Sequence, residues 1–259
     1  MQKYYDKTQD KNFDDLASRF EKNIYDTLKG KIRLAVIERD IQPFLHEKAN
    51  IIDAGGGQGQ YSLLLAQKGH NITLCDISVK MLDKAKECIN DLGLNSSSIN
   101  LLNCPLQELP NHIDASADIV LCHAVLEWMA EPEKAIKALY ECLNTKGILS
   151  LAFFNKNSII FKNLTRGNYK KATSNNFTGM KGSLTPINPL LPEDVLRWCE
   201  ETGFKIQSKS GIRVFHDYIE SKKTRNKHPE AVIETELNFS RIEPYRSLGR
   251  YIHLICQKV

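Results

Sequence analysis

Short apolar runs alternate with segments of helical periodicity along most of the chain. Runs of four to seven residues rich in Ile, Val and Leu are typical of strands buried on both faces of a sheet. The segments between them repeat apolar residues every three or four positions, and several end at a glycine, which is typical of amphipathic helices. The pattern predicts strands over 50–53, 71–75, 99–103, 118–122, 148–154, 204–207 and 251–256, and helices over 12–28, 31–46, 61–68, 79–92, 132–143 and 193–202.

This alternation predicts an α/β fold with a seven-stranded, mainly parallel sheet and helices on both faces. We expect residues 1–259 to form a single domain. Its predicted parts are N-terminal helices over 12–46, a core of alternating strands and helices over 50–155, a basic insert over 156–190 and a C-terminal part over 192–259 that completes the sheet.

The insert over 156–190 breaks the rhythm and is rich in Asn, Lys, Gly, Ser and Thr. A structureless stretch of this length in a compact domain is usually functional or partly disordered, and the sequence does not predict the conformation of this insert. The chain has no acidic residue between Cys142 and Pro192, whereas seven Lys and Arg residues fall there. The charge predicts a polyanionic partner, and a solvated loop without a partner is an equal alternative.

The composition narrows the class of protein. The chain has 259 residues, 42% of them hydrophobic, and a formal net charge of +4. No apolar run approaches the roughly 20 residues of a membrane span, and the polar N terminus lacks a signal-peptide stretch, so we expect a cytoplasmic protein without a membrane partner. The seven cysteines are scattered without a C-x-x-C pair, which favours buried free thiols over disulfides and predicts no metal site.

A glycine-rich loop, Asp53-Ala54-Gly55-Gly56-Gly57-Gln58-Gly59, follows the first predicted strand and precedes a predicted helix. This order places backbone N–H groups and a helix N terminus at the carboxyl edge of the sheet. Position 60 is Gln, so the G-x-G-x-x-G spacing of dinucleotide-binding proteins fails from Gly55. The pattern D-x-G-x-G-x-G resembles the first motif of class I methyltransferases, where glycines let the backbone pass close to S-adenosylmethionine. For any one glycine, a plain turn is the alternative.

Three further positions follow from this topology. Asp76 ends the second strand, where a carboxylate is placed to accept the two ribose hydroxyls of the cofactor. Leu106 and Gln107 follow the third strand, where this fold contacts adenine. His123 follows the fourth strand and is expected to face the methyl donor. A surface role for Gln107 and a packing role for His123 are the alternatives.

Five segments spread over nearly the whole chain resemble the bacterial tRNA 5-carboxymethoxyuridine methyltransferases. They are FDDLASRFEKNIYDTLKGKIR at 13–33, DAGGGQGQ at 53–60, HAVLEWMAEPEKA at 123–135, GIRVFHDYIESK at 211–222 and EPYRSLGRYIH at 243–253, of which the last two are the most specific. The resemblance implies the Rossmann-like fold of class I methyltransferases and S-adenosylmethionine as cofactor. It also implies methyl esterification of the carboxylate of 5-carboxymethoxyuridine at the tRNA wobble position, with the tRNA anticodon stem-loop as partner.

The resemblance also assigns site residues. The implied cofactor contacts are Arg33, Gly55, Gly56, Asp76, Leu106, Gln107 and His123. Arg33 is implied to pair with the methionine carboxylate. The candidate substrate contacts, in the basic and aromatic C-terminal part, are Arg213, Arg246, Arg250 and Tyr245, and a structural ion pair is the alternative for each arginine. We expect no catalytic general base, because a carboxylic acid with a pKa of about 4 is already ionised at neutral pH.

Two other functions stay open at this point. The class includes many methyltransferases that act on a small-molecule carboxylate, hydroxyl or amine. A methyltransferase-like subunit without activity of its own is the other, and the intact glycine loop followed by Asp76 argues against it.

Overall fold

A seven-stranded sheet lies at the centre of the structure, a computed structural model that describes residues 4–14, 27–174, 176–177 and 185–259. The strands are Asn50–Ala54 (β1), Asn71–Cys75 (β2), Ile99–Leu102 (β3), Ala117–His123 (β4), Leu143–Phe154 (β5), Phe204–Ile212 (β6) and Tyr251–Lys258 (β7). Their order is β3-β2-β1-β4-β5-β7-β6. Strands β1 to β5 are parallel, and β7 is antiparallel to its neighbours β5 and β6. The predicted fold class is therefore confirmed.

Helices pack on the two faces of this sheet, as the alternation along β4 shows. The helices are Leu28–Ile41 (α1), Ser62–Gln67 (α2), Val79–Asp91 (α3), Pro132–Glu141 (α4), Lys156–Leu164 (α5), Tyr169–Thr173 (α6), Pro192–Thr202 (α7), Lys222–Arg225 (α8) and Pro229–Phe239 (α9). Ile119 and Leu121 of β4 pack in one buried cluster with residues of α1, α2 and α3. Val120 and Cys122 face the other cluster, which includes residues of α4 and α7. Successive side chains of a strand point to opposite faces, so both faces of β4 are buried.

The N-terminal region differs from the predicted helices. Helix α1 begins three residues earlier than predicted, because the Thr27 hydroxyl accepts a hydrogen bond from the backbone N–H of Gly30 and caps it. It ends at Ile41 and continues as a single 3-10 turn over Gln42–Phe44, which contains a proline. The predicted helix over 12–28 is wrong at 12–14, which are not helical, and 15–26 lie outside the described residues.

The insert over 156–190, whose conformation the sequence does not predict, contains two helices where it is described. Helices α5 and α6 lie within it, and Asn155 caps α5 by accepting a hydrogen bond from the N–H of Asn157. Ile159 of α5 is buried against Phe154 and Phe177. The insert has too few apolar residues to show a helical pattern in its sequence. These few residues are nevertheless enough to pack the helices against the end of the sheet.

Two strands are longer than predicted. β5 starts at Leu143 and passes through polar residues, including Lys146 with a φ of +64°, because it pairs with β4 from Ala117 onward. β6 continues to Ile212 along the antiparallel partner β7. Six of the cysteines are buried free thiols and Cys88 is half-buried, which agrees with the prediction. Within the described ranges, no helix has the length and apolar character that crossing a membrane requires.

Candidate active site

The glycine loop is held in place at the carboxyl end of β1. The N–H groups of Gly55 and Gly56 both donate to the carbonyl oxygen of Cys75 at the end of β2, over 2.8 and 3.1 Å. Gly55 has a φ of +72°, and a Cβ there would lie 2.6 Å from a methyl carbon of Val125. Only glycine combines this backbone conformation with this close approach.

Asp53 lies directly beneath the loop. A Cβ on Gly56 would lie 2.4 Å from the carboxyl carbon of Asp53, so a side chain at Gly56 would displace this carboxylate. The Ser62 hydroxyl donates to Asp53 over 2.6 Å. Burial raises the pKa of Asp53 to about 6, and the Ser62 hydrogen bond and the charge of Arg33 oppose that rise.

Asp76 lies across the loop from Asp53. One of its carboxylate oxygens accepts the N–H of Gly57 over 2.9 Å, and the other accepts the N–H of Ser78 over 2.8 Å. These bonds fix the direction of the carboxylate and leave lone pairs on both oxygens for further donors. Burial raises the pKa of Asp76, against the effect of the two backbone hydrogen bonds.

Two adjoining cavities meet at Asp76, and the seven predicted cofactor residues all line one or both of them. The first is lined by Arg33, Gly55, Gly56, Asp76 and His123 among others, and the second by Gly55, Asp76, Leu106 and Gln107 among others. Both cavities share Phe13, Gly55, Asp76, Ala124 and Trp128. Together they form one cleft along the carboxyl edge of β1, β2 and β4.

Gln107 presents an unpaired polar atom to the second cavity. Its side-chain nitrogen donates to Asp10 over 2.8 Å, whereas its buried carbonyl oxygen has no hydrogen-bond partner among the described residues. Asp10 also accepts the N–H of Ala130 over 2.8 Å, which holds the N-terminal segment across the cleft. Asp10 was missed in the sequence analysis, because a carboxylate far upstream of the glycine loop carries no local signal.

Trp128 forms part of the cleft wall. Its ring is contacted edge-on by Tyr5 and by Phe13, with ring centroids 6.3 and 4.8 Å away. It is 8% exposed and packs with Ile187, so it combines core packing with lining both cavities.

Arg33 and His123 lie side by side in the first cavity. A guanidinium nitrogen of Arg33 donates to the backbone carbonyl of His123 over 3.3 Å. Burial above all, with the positive charge of Arg33, holds the pKa of His123 well below its usual value, so its ring is neutral at physiological pH. Tyr61 also lines this cavity, and its buried hydroxyl has no hydrogen-bond partner among the described residues.

Glu127 is a buried carboxylate that the sequence analysis did not single out. It is 1% exposed, and neither oxygen has a hydrogen-bond partner in the described part of the chain. Burial raises its pKa to about 7, against the lowering effect of the charge of Arg33 and of the backbone N–H groups of Glu127 and Phe154, which lie near the carboxylate without hydrogen-bond geometry. The sequence feature that could have indicated a buried carboxylate is an acidic residue between Leu126 and Trp128 in an apolar run.

Replacing Glu127 with glutamine is expected to stabilise the cofactor-free protein at pH 8 but not at pH 4.5. The folded pKa of about 7 lies above the ordinary value of 4.5, so the stability contributed by this group is fully present below pH 4.5 and is lost as the pH rises through 7. Glutamine cannot ionise and escapes that loss, which amounts to about 3 kcal/mol. Urea unfolding at several pH values measures it.

The matched control for this prediction is Glu133→Gln, which changes an exposed glutamate. We expect its effect on the unfolding free energy to be small and independent of pH. A Glu127→Gln variant with a pH profile parallel to that of the unchanged protein would show that this carboxyl group is not strained.

Arg213 and Arg250 share one buried carboxylate beside the cleft. Asp217, 5% exposed at its side chain, accepts from Arg250 over 2.8 Å and lies 3.6 Å from Arg213. Lys29 and Lys162 lie close to the same group, and burial lowers the pKa of each, to about 8 for Lys162. One carboxylate thus faces four cationic side chains, which leaves an excess of positive charge.

Aromatic rings connect this cationic cluster to the cleft. The guanidinium carbons of Arg33 and Arg213 lie 6.0 and 5.4 Å from the centroid of the Tyr251 ring. Arg250 lies over Phe154, with 5.2 Å between its guanidinium carbon and the ring centroid. Because Phe154 and Tyr251 are paired neighbours in β5 and β7, the cluster and the cleft lie at the same edge of the sheet.

Arg246 and Tyr245 lie further out on the surface. Arg246 donates to the Glu243 carboxylate over 2.6 and 2.9 Å, and Tyr245, 42% exposed, packs edge-on against Phe239. They adjoin the insert, because helix α5 packs on Arg246–Leu248. The insert and the C-terminal segments, both with more basic than acidic residues, therefore pack against each other, and together they are called the basic region.

Comparison with known proteins identifies the class. A methyltransferase-domain family model matches residues 52–151, which include most of the residues that line the cleft. Two solved structures have TM-scores of 0.62 at 14% identity, each aligned over 95% of this chain. One is an S-adenosylmethionine-dependent methyltransferase from Clostridium acetobutylicum, matched over 98% of its length. The other is magnesium protoporphyrin IX methyltransferase from Synechocystis with bound S-adenosylhomocysteine, matched over 96%.

The fold and the cleft define a class I methyltransferase that uses S-adenosylmethionine. A curated relative from Escherichia coli K12, named tRNA 5-carboxymethoxyuridine methyltransferase, is 39% identical over 96% of this chain and 97% of its own length. The chain belongs to the family of tRNA 5-carboxymethoxyuridine methyltransferases. A ubiquinone biosynthesis O-methyltransferase from Colwellia psychrerythraea is more distant, at 27% identity over 62% of this chain and 63% of its own.

Proposed function

We propose that this protein transfers a methyl group to the carboxylate of 5-carboxymethoxyuridine at the wobble position of tRNA, giving the methyl ester. The observation that carries the proposal is the full-length likeness to the Escherichia coli enzyme of that name. The basic region beside the cleft supports it, because a polyanionic RNA and an anionic nucleobase substituent both require positive charge. We take residues 1–259 as one methyltransferase domain.

The cleft residues suit S-adenosylmethionine, and we assign them as its contacts. Asp76 has lone pairs left for the ribose hydroxyls, and the unpaired oxygen of Gln107 suits the amino group of adenine beside Leu106. Arg33 lines the first cavity, and we assign it to pair with the methionine carboxylate. Gly55 and Gly56 provide the close backbone approach. His123 lines the same cavity as Arg33. The bound cofactor would supply an electrophilic methyl group on a sulfonium.

The proposed reaction needs no general base. The nucleoside carboxylate is ionised at neutral pH, with a pKa of about 4. Its oxygen would bond to the methyl carbon as the sulfur–methyl bond breaks, and S-adenosylhomocysteine would leave as a neutral thioether. The protein contributes alignment of the two groups and removal of water from the carboxylate, which in oriented systems is worth roughly 7–11 kcal/mol. Because the pKa of His123 is held well below its usual value, its ring is a weak base, which is consistent with a role in binding rather than in proton transfer.

The cationic cluster is the proposed site for the anionic substrate. Arg213 and Arg250 are the leading contacts because they lie beside Tyr251 and Phe154, next to the cleft. Charge is cancelled in the reaction, so an arginine on the carboxylate stabilises the bound substrate more than the transition state and serves orientation. Arg246 and Tyr245, on the outer part of the basic region, are proposed contacts to the anticodon stem-loop.

The test is a methyl-transfer assay with purified protein and two tRNAs that differ only in the carboxymethoxy group. We expect nucleoside mass spectrometry to find the methyl ester on the modified tRNA and no product on the other. Turnover of a small-molecule acid without turnover of modified tRNA would overturn the substrate assignment and leave the cofactor assignment intact. Binding of tRNA should weaken steeply as salt concentration rises.

Within this assay, Arg213→Gln is expected to raise the KM for modified tRNA by about tenfold, the loss typical of one hydrogen bond to a charged group. The affinity for S-adenosylmethionine should be unchanged. Arg197→Gln is the control, because Arg197 also pairs with an aspartate, Asp194, but lies on the exposed surface of α7. Equal KM values for both variants would remove Arg213 from the substrate site.

A further inference from the structure

A buried chain of hydrogen bonds leads from the first cavity to a carboxylate on α1. Nε2 of His123 lies 2.8 Å from the hydroxyl of Ser150, and that hydroxyl lies 2.8 Å from Nε2 of His253. Nδ1 of His253 lies 2.9 Å from Asp40. Asp40, His253 and Ser150 are at most 1% exposed. The four residues come from α1, β4, β5 and β7, so no local sequence pattern indicates these hydrogen bonds.

Asp40 determines which ring nitrogen of His253 carries a proton, at the end of the hydrogen-bond chain that is remote from the cavity. Its other oxygen accepts from Arg39 over 2.7 Å and from Arg241 over 2.7 Å. The hydrogen bond from His253, together with one from Ser210 and the charge of Arg39, holds the pKa of Asp40 well below its usual range against the effect of burial. An ionised carboxylate only accepts hydrogen bonds, so Nδ1 of His253 must carry a proton.

The Ser150 hydroxyl couples the protonation of the two histidine rings, because it has one hydrogen and lies between two ring nitrogens. It donates to one ring and accepts from the other, so one of the two Nε2 atoms carries a proton and the other does not. With one proton on its ring, His253 carries that proton on Nδ1, which faces the carboxylate of Asp40. Nε2 of His253 is therefore the acceptor, and Nε2 of His123 is the donor.

The remaining ring nitrogen of His123 then carries a lone pair. His123 is neutral and its proton is on Nε2, so Nδ1 is a hydrogen-bond acceptor. Nδ1 has no hydrogen-bond partner within the described ranges, and His123 lines the first cavity. The cavity therefore offers a fixed acceptor next to Arg33, a donor.

We propose that Asp40, His253 and Ser150 are positioning residues that fix His123 as the Nε2–H tautomer, so that its Nδ1 accepts a hydrogen bond from the ammonium group of S-adenosylmethionine. The inference rests on the proposed cofactor site. In that site Arg33 would take the carboxylate of the amino acid part of the cofactor and His123 the ammonium. The opposite tautomer would set an N–H against a cation.

Asp40→Asn tests the direction of the hydrogen bonds that connect Asp40 to His123. The two arginines hold the amide oxygen, so the amide NH₂ faces His253 and donates to Nδ1. His253 then carries its proton on Nε2, Ser150 donates to His123, and His123 becomes the Nδ1–H tautomer. We expect two-bond ¹H–¹⁵N spectra of the cofactor-free protein to show this reversal, with His123→Gln used for assignment. Calorimetry should show S-adenosylmethionine affinity lower by about tenfold or more.

Ser150→Ala interrupts the row of hydrogen bonds without removing a charge. This variant serves as the test if Asp40→Asn does not fold. We expect mixed tautomers at His123 and affinity lower by about tenfold. Ser158→Ala is the matched control, since it removes another buried hydroxyl hydrogen bond, to the Asn155 carbonyl, away from the cleft. An unchanged His123 tautomer in Asp40→Asn and Ser150→Ala, or an equal loss of affinity in Ser158→Ala, overturns the proposal. Failure of the unchanged protein to bind the cofactor would instead overturn the cofactor site, because the tautomer spectra need no cofactor.

Discussion

Replacing Gly55 with alanine is expected to lower the affinity for S-adenosylmethionine by about a hundredfold, equal to about 2.7 kcal/mol. The new Cβ would lie 2.6 and 2.9 Å from the two methyl carbons of Val125. The loop cannot retreat easily, because the Gly55 N–H is bonded to the Cys75 carbonyl over 2.8 Å. Val125 lines the second cavity and must move into the space that the cofactor needs. Calorimetry measures the affinity directly.

The control for this variant is Gly93→Ala. Gly93 has a φ of +60°, close to the +72° of Gly55, but a Cβ there meets nothing within 4 Å. Both variants carry the same backbone strain, about 1 kcal/mol, and differ only in the collision with Val125. Gly93→Ala should lose stability and keep its affinity. If both variants bind the cofactor normally, the close approach at Gly55 is not required.

The sequence predicts the cofactor side of the site well because its signals are local. A strand, a glycine turn and a helix lie within some twenty residues, and Asp76 closes the next strand. The parallel arrangement then brings the ends of β1, β2 and β4 together without further information. The strand pattern is equally local, so the order of elements from β1 to β5 agrees with the structure.

Long-range contacts explain what the sequence does not predict. Asp40 and His253 are 213 residues apart, and neither stands in a motif. Glu127 is unusual only because its surroundings are apolar and leave it without a partner in the described structure. The helices of the insert depend on packing against Phe154 and Phe177, so their own polar sequence hides them. Each of these features arises only when distant segments meet.

The substrate side shows a further limit of sequence reasoning. The two candidate arginines nearest the cleft, Arg213 and Arg250, interact with Asp217, so an ion pair and a substrate contact are not exclusive roles for them. On the sequence alone, the two roles are alternatives for each arginine. In the structure Asp217 lies near several cations, so one carboxylate cannot neutralise all of them and positive charge is left for a substrate.

Asp217→Asn is expected to destabilise the protein by about 3–5 kcal/mol, because it leaves buried cations without their counter-charge. Arg213 and Arg250 are only 12% and 13% exposed at their side chains and cannot turn to water without disrupting the rings beneath them. Thermal unfolding should show a melting temperature lower by about 10 °C. Asp194→Asn, which breaks an exposed ion pair with Arg197, is the control and should cost less than about 1 kcal/mol.

The pH dependence and the response to anions distinguish this charge effect from a simple loss of packing. The pKa of Asp217 is held far below its usual value by Arg213, Arg250 and a hydrogen bond from His216, so its contribution is complete above pH 4 or so and is lost as the pH falls. The stabilities of variant and unchanged protein should therefore converge in acid. Because the variant has one more uncompensated cation beside the cleft, inorganic phosphate should raise its melting temperature more than that of the unchanged protein. A constant difference at all pH values, with no added response to phosphate, would contradict the role of Asp217 as the counter-charge of an anion-binding cluster.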